Sequence, residues 1–146
     1  MKLHDEHKRF NWHVGKTQKF KCTRSELWDI ISMPSNLELF HPFCAKNPIT
    51  NWPGIDSADT ILYHNGLKLE RNFINWEENI GYDLLIGIKD KEQSFVSWRI
   101  KEKDNVLELT IAVYPYLNNC GSKLTNFLPF FIIVKPSLSN YLDSLY

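Results

Sequence analysis

Arg71 is the residue whose surroundings point most directly to chemistry. Leu69 and Phe73 lie two positions before and after it in an alternating segment, so the three side chains belong to one face of a strand. If that face is buried, the guanidinium needs a partner, because an isolated buried charge is very costly. Three alternatives stay open: an anchor for a ligand carboxylate, enolate or phosphate, an internal ion pair, and a side chain that reaches the rim of the fold.

His41 is the second candidate, since an imidazole titrates near neutral pH and can act as a general acid or base. It stands between Phe40 and Pro42 at the predicted end of a short helix, where packing alone also explains it. Cys44 follows closely, but no further ligands complete a metal site. The chain also lacks a glycine-rich phosphate loop, Gly-x-Ser-x-Gly and His-Glu-x-x-His. We therefore assign no catalytic residue, metal or cofactor.

The composition argues against several classes of protein. Seventeen Lys and Arg residues balance seventeen Asp and Glu residues, so the basic footprint of a nucleic-acid-binding protein is missing. The longest apolar run, residues 127–134, contains a proline and is too short to insert across a membrane. Cys22, Cys44 and Cys120 are widely spaced, which predicts free thiols and a cytoplasmic location.

The first half of the chain predicts a strand followed by two short helices. Residues 14–22 alternate as a strand, and Thr23 with Glu26 forms a capping-box pattern for the first helix. Ser35 and Glu38 repeat that pattern for the second helix, which ends at His41. Residues 43–52 predict a weak edge strand because three prolines limit its hydrogen bonding, and residues 1–11 predict a flexible arm.

The middle of the chain predicts an antiparallel meander. A two-residue turn at Asn65-Gly66 would pair Leu62 with Leu69 and Thr60 with Arg71. Later turns, near residues 78–79 and 104–105, would align further pairs. A three-residue reversal at 90–92 puts both halves on one face, whereas a two-residue reversal would separate them. The predicted pairs of the later turns are Phe73 with Leu84, Arg71 with Ile86, Ile100 with Leu109, Trp98 with Ile111, and Val96 with Val113.

The opposite face of the meander is predicted to be mixed in character. Acidic residues there would face water, which argues against paired catalytic carboxylates in a cavity. Apolar residues on the same face predict a patch that a second subunit, a loop or the N-terminal arm would cover. The acidic set is Glu70, Asp83 and Glu108, and the apolar set is Ile61, Tyr63, Ile74, Trp76 and Leu85.

The end of the chain predicts a long helix. Residues 124–146 repeat apolar positions, Phe131 among them, at gaps of three and four, and Pro136 would kink the helix. We therefore predict an α+β helix-grip fold in one domain, residues 1–146. A curved antiparallel sheet of six to seven strands wraps around the long C-terminal helix, with two short helices after the first strand.

The order of these elements resembles that of the START-like or SRPBCC superfamily, which includes polyketide-cyclase-like, aromatase-like and birch-pollen-allergen-like proteins. The resemblance implies a hydrophobic cavity between the sheet and the C-terminal helix, but no shared catalytic motif can be carried over. The stretches that carry it are residues 25–32, residues 39–43, Tyr63-His64-Asn65-Gly66 with Arg71, residues 81–84, and Tyr141-Leu142.

The first functional hypothesis is the binding of a small hydrophobic molecule, with aromatic, lipid-like and anionic ligands all considered. Its alternative is an enzyme of the cyclase, aromatase or dehydratase type, in which His41 exchanges protons and Arg71 stabilises negative charge. A third hypothesis is an interaction domain whose cavity is filled, and a homodimer through the outer sheet face fits any of them. The expected ligand-binding residues are His41, Leu69, Arg71, Phe73, Tyr82, Trp98 and Phe131.

Overall fold

An eight-stranded antiparallel sheet makes up most of the described chain. The computed structural model describes residues 14–115. The predicted N-terminal arm, the predicted C-terminal helix and its Phe131 lie outside the described residues. The elements are β1 (Val14–Phe20), α1 (Arg24–Ile31), α2 (Leu37–Phe40), β2 (Cys44–Lys46), β3 (Ile49–Asn51), β4 (Ala58–Tyr63), β5 (Lys68–Glu77), β6 (Gly81–Gly87), β7 (Ser94–Lys103) and β8 (Val106–Tyr114).

The strands follow the order β1-β8-β7-β6-β5-β4-β2, and β3 also pairs with β4. The predicted total of six to seven strands is therefore too low. The predicted edge strand at 43–52 is two short strands on β4, separated by Asn47 and Pro48. The buried Asn47 side chain donates to the Thr60 carbonyl at 2.8 Å, which ties this break to the sheet.

The first predicted helix is confirmed together with its cap. The Glu26 backbone N–H donates to the Thr23 hydroxyl, and the Thr23 N–H donates to the Glu26 carboxylate at 2.7 Å. The predicted capping box of the second helix is wrong in detail. The helix begins after Asn36, and the Ser35 hydroxyl donates instead to the Asn47 carbonyl at 2.7 Å. Ser35 has a positive φ of 58°, so its backbone makes a sharp turn rather than an N-cap.

Most of the predicted meander registers are confirmed. Trp98 pairs with Ile111 between β7 and β8, and Phe73 pairs with Leu84 between β5 and β6. Leu84 also pairs with Val96, so the two halves of the meander share one face. That inner face carries the core, because its side chains and those of α1 and α2 form one buried apolar cluster.

The predicted register between β4 and β5 is wrong by one residue. Ile61 lies opposite Leu69, and Asp59 lies opposite Arg71. The cause is a three-residue loop at 64–66, where the Tyr63 N–H donates to the Leu67 carbonyl at 2.9 Å. A shift of one residue turns the side chains of a strand to the other face. Ile61, predicted to face outwards, is consequently only 2% exposed.

A β-bulge in β5 makes a second correction. The pairing slips between Phe73 and Asn75, so Trp76 lies opposite Tyr82 on the inner face. The rings of Trp76 and Tyr82 stack with centroids 5.3 Å apart. Of the predicted outer apolar patch, Ile61, Tyr63 and Trp76 therefore belong to the inside, and the half-buried Ile74 and Leu85 remain.

Asp83 differs from its prediction as well, because it is buried rather than turned to water. Its carboxylate lies 2.7 Å from a guanidinium nitrogen of Arg99. The bulge in β5 also sets Asn75 opposite Asp83, and the amide donates to the carboxylate at 3.1 Å. Alternation predicted the correct face for Asp83, but it carries no information about what covers that face.

Candidate ligand-binding pocket

A small pocket lies between α2 and the inner face of the sheet. Its volume of about 30 Å³ corresponds to roughly two water molecules. Six of its lining side chains are aliphatic, Trp98 adds an aromatic ring, and His41, Tyr63 and Arg71 add polar groups. The described residues that line it are Leu37, His41, Ile61, Tyr63, Arg71, Leu84, Ile86, Val96, Trp98 and Ile111.

Arg71 is held in the pocket wall by a bidentate ion pair. Its Nε donates to Asp59 Oδ1 at 2.8 Å, and its Nη2 donates to Oδ2 at 2.5 Å. The Phe73 ring lies against the guanidinium, whose central carbon is 5.0 Å from the ring centroid. Burial by itself lowers the pKa of Arg71, but the hydrogen bonds and charge of Asp59 outweigh it and raise the pKa. The structure thus shows the internal ion pair, and a contact between Arg71 and a ligand stays a prediction.

His41 faces the same pocket as a neutral imidazole. Burial, and then the charge of Arg71, lowers its pKa from 6.5 to about 4. Its Nδ1 accepts a hydrogen bond from the Phe43 N–H at 3.1 Å, so the neutral ring carries its proton on Nε2. The ring also contacts the Tyr63 ring edge-on, with centroids 5.6 Å apart.

Two more titratable groups near the pocket stay protonated at neutral pH. Burial raises the pKa of the Tyr63 hydroxyl to about 12, despite the opposing effect of Arg71. Burial also raises the pKa of the Cys44 thiol to about 11, and the charge of Glu38 adds to this. A thiol with a raised pKa is a poor nucleophile, so the structure offers no support for chemistry at Cys44.

An aromatic cluster lies beside the pocket and supports its wall. Trp28, Trp52 and Trp76 pack against Phe73 and Tyr82 with ring centroids between 5.0 and 6.2 Å apart. The buried Tyr82 hydroxyl donates to the Ile31 carbonyl at 2.9 Å, which joins the sheet to α1. These rings fill the core in the manner expected for buried aromatic residues.

The predicted site residues therefore separate into groups. His41, Arg71 and Trp98 line the pocket, and Phe73 supports Arg71 from beside it. Tyr82 belongs to the aromatic cluster. The half-buried Leu69 shares the strand face of Ile61 but is not among the described lining residues. Phe131 lies outside the described residues.

Two polar residues of the site, Asp59 and Tyr63, were not predicted. Tyr63 was assigned to the outer face because the turn at Asn65-Gly66 was interpreted as a two-residue turn, and Asp59 was assigned to neither face. A three-residue loop with Gly66 at its positive-φ position was the signal that would have found them. Among residues 14–115, no group of three His, Cys, Asp or Glu side chains could hold a metal ion. No helix in that range is long and apolar enough to cross a membrane.

Comparison with known proteins identifies the fold. No family model and no curated protein matches this sequence. Solved structures do match. Ara h 8.0201 has a TM-score of 0.70 and 10% identity over 91% of this chain and 98% of its own. The Aha1 dimer from Colwellia psychrerythraea has a TM-score of 0.73 and 10% identity over 90% of this chain and 96% of its own.

A third match is DynU16, described as a putative protein in the dynemicin biosynthetic locus. It has a TM-score of 0.73 and 11% identity, over 90% of this chain and 47% of its own. All three identities are low, so these likenesses concern the fold and leave the activity open. The chain has the START-like, or SRPBCC, fold that its sequence resembles.

Proposed function

We propose that this protein binds a small hydrophobic molecule in the pocket on the inner face of its sheet. The observation that carries the proposal is the combination of an apolar wall with three inward polar groups, Arg71, His41 and Tyr63. Ligand sites typically combine apolar walls with a few polar groups that orient the ligand. The pocket has a volume of only about 30 Å³, so we expect a ligand with a ring to move pocket side chains when it binds. The larger cavity against residues 124–146 stays a prediction.

The protonation states of the pocket favour binding over acid–base catalysis. A useful general acid or base has a pKa near the operating pH. The pKa values of about 4 for His41 and about 12 for Tyr63 are both far from neutrality. The enzyme alternative would need a ligand-induced change in at least one of these pKa values. If side chains fill the pocket, the interaction-domain alternative is the one that applies.

The binding test uses acetophenone as a small apolar probe and ¹H–¹⁵N NMR of the protein as the measurement. We expect chemical-shift changes centred on the pocket, including the Trp98 indole N–H. Val96→Phe places a ring in the pocket from β7 and should abolish these changes. Thr110→Phe is the matched control, because Thr110 faces outwards beside the pocket residue Ile111 and the added ring stays outside. Binding that survives Val96→Phe unchanged would overturn the proposed site.

We also propose that the protein forms a homodimer through the outer face of its sheet. The likeness to a protein solved as a dimer supports it. The half-buried Ile74 and Leu85 are the apolar residues of the predicted patch that stay on this face. Light scattering of the wild-type protein and of Leu85→Lys decides whether a dimer forms and whether this face carries it.

A further inference from the structure

We propose that the Asp59–Arg71 pair makes the pocket select neutral ligands with a carbonyl-type oxygen over ligands that carry a carboxylate. This inference rests on the proposed binding function and names its ligand class. It also revises the expectation that Arg71 anchors an anion, because that expectation assumed a guanidinium without an internal partner.

The first step is the set of N–H groups that Asp59 leaves unused. A guanidinium has five N–H groups, and Asp59 accepts from Nε and Nη2. Among the described residues, Asp59 is the acceptor found for Arg71, and no acceptor takes the N–H groups of Nη1. A ligand that fills the pocket would remove water from these donors, which is unfavourable unless the ligand supplies an acceptor. Because Arg71 lines the pocket, an oxygen atom of a ligand is the partner that would satisfy it.

The second step is the charge of the pair. The Asp59 side chain is fully buried against Arg71, so the pair as a whole brings no net charge to the pocket wall. A ligand carboxylate would lose its hydration and would meet a second carboxylate just beyond the guanidinium. A carbonyl oxygen accepts the same hydrogen bonds without bringing a charge into the core.

The third step is the chemistry of the other polar groups. The neutral His41 ring offers its Nε2 proton, since its Nδ1 already accepts from Phe43. Tyr63 offers a hydroxyl that remains protonated at neutral pH. The pocket therefore presents hydrogen-bond donors and no net charge, which matches a neutral acceptor.

The test compares three probes of similar shape by NMR titration at pH 7: acetophenone with a carbonyl, benzoate with a carboxylate, and ethylbenzene with neither. For the wild-type protein we expect acetophenone to bind at least about tenfold more tightly than benzoate, and more tightly than ethylbenzene. Asp59→Asn uncovers the charge of Arg71, so benzoate should gain on acetophenone by about tenfold or more.

Asp83→Asn is the matched control, because it makes the same change in a buried acid paired with Arg99, away from the pocket. It should leave the ratio of the two affinities unchanged. If the probes bind but wild type prefers benzoate, or Asp59→Asn leaves the ratio unchanged, the inference is overturned and the binding function stands. If no probe binds, both are overturned. If Asp59→Asn does not fold, the wild-type ratio decides alone.

Discussion

Asp59 and Arg71 illustrate how a single contact can determine both stability and recognition. Both side chains are almost fully inaccessible, at 0% and 4% exposure. The value of such a pair lies less in its attraction than in the cost of leaving either charge alone, because desolvation has already been incurred. The pair therefore restricts which substitutions β4 and β5 can accept at these two positions.

Arg71→Leu should accordingly lower the free energy of unfolding by about 3–5 kcal/mol, since it leaves the Asp59 carboxylate buried without a partner. Urea unfolding at pH 7 measures the loss. The control is the double variant Asp59→Leu with Arg71→Leu, which removes both charges and should recover most of the stability. An Arg71→Leu protein as stable as wild type would mean that the pair is not buried in solution.

At the scale of single elements, β6 depends on one glycine. A Cβ at Gly81 would lie 1.8 Å from the Trp98 carbonyl oxygen of β7, and the backbone there has φ of +156°. Neither strand can give way cheaply, because Tyr82 and Trp98 pair next to this contact within the core. The start of β6 consequently tolerates only a residue without a side chain.

Gly81→Ala should therefore destabilise the protein by more than about 2 kcal/mol, which is large for the addition of one methyl group. Thermal unfolding followed by circular dichroism is the measurement. Gly15→Ala is the control, because a Cβ at Gly15 meets its nearest neighbour at an ordinary 3.7 Å. Equal effects of the two substitutions would contradict the close approach of β6 and β7.

The elements also show which parts of the fold a sequence can predict. The capping box at Thr23 and the β7–β8 register follow from local patterns, and both are confirmed. Both errors that mattered were insertions of one residue, in the loop before Leu67 and at the bulge in β5. Alternation cannot detect such insertions, because both registers satisfy the same local pattern. The site was missed in part for this reason, since Asp59 faces Arg71 only in the observed register.

At the scale of the whole molecule, the pocket joins distant parts of the chain. Its described walls come from α2 and from five strands, β4 to β8. Leu37 and Ile111 are 74 positions apart in sequence yet line the same space. Groups in this pocket should therefore influence global unfolding, and proton binding by His41 is the case that can be measured without a ligand.

His41 predicts a loss of global stability in acid. Its pKa is about 4 in the folded protein and about 6.5 in an unfolded chain, so the unfolded state binds more protons between these values. The contribution of the neutral His41 ring to the free energy of unfolding is fully present above pH 6.5. It is lost as the pH drops towards 4, by up to about 3 kcal/mol. His41→Gln removes the titrating group and retains an acceptor for Phe43. Urea unfolding at several pH values measures the free energy of unfolding of both proteins. Between pH 6.5 and pH 4, we expect wild type to lose more of this free energy than His41→Gln does. Carboxylates titrate in both proteins, so only the difference between the two unfolding free energies reports on His41. A difference that stays constant from pH 7 to pH 4 would show that His41 is not buried as a neutral ring.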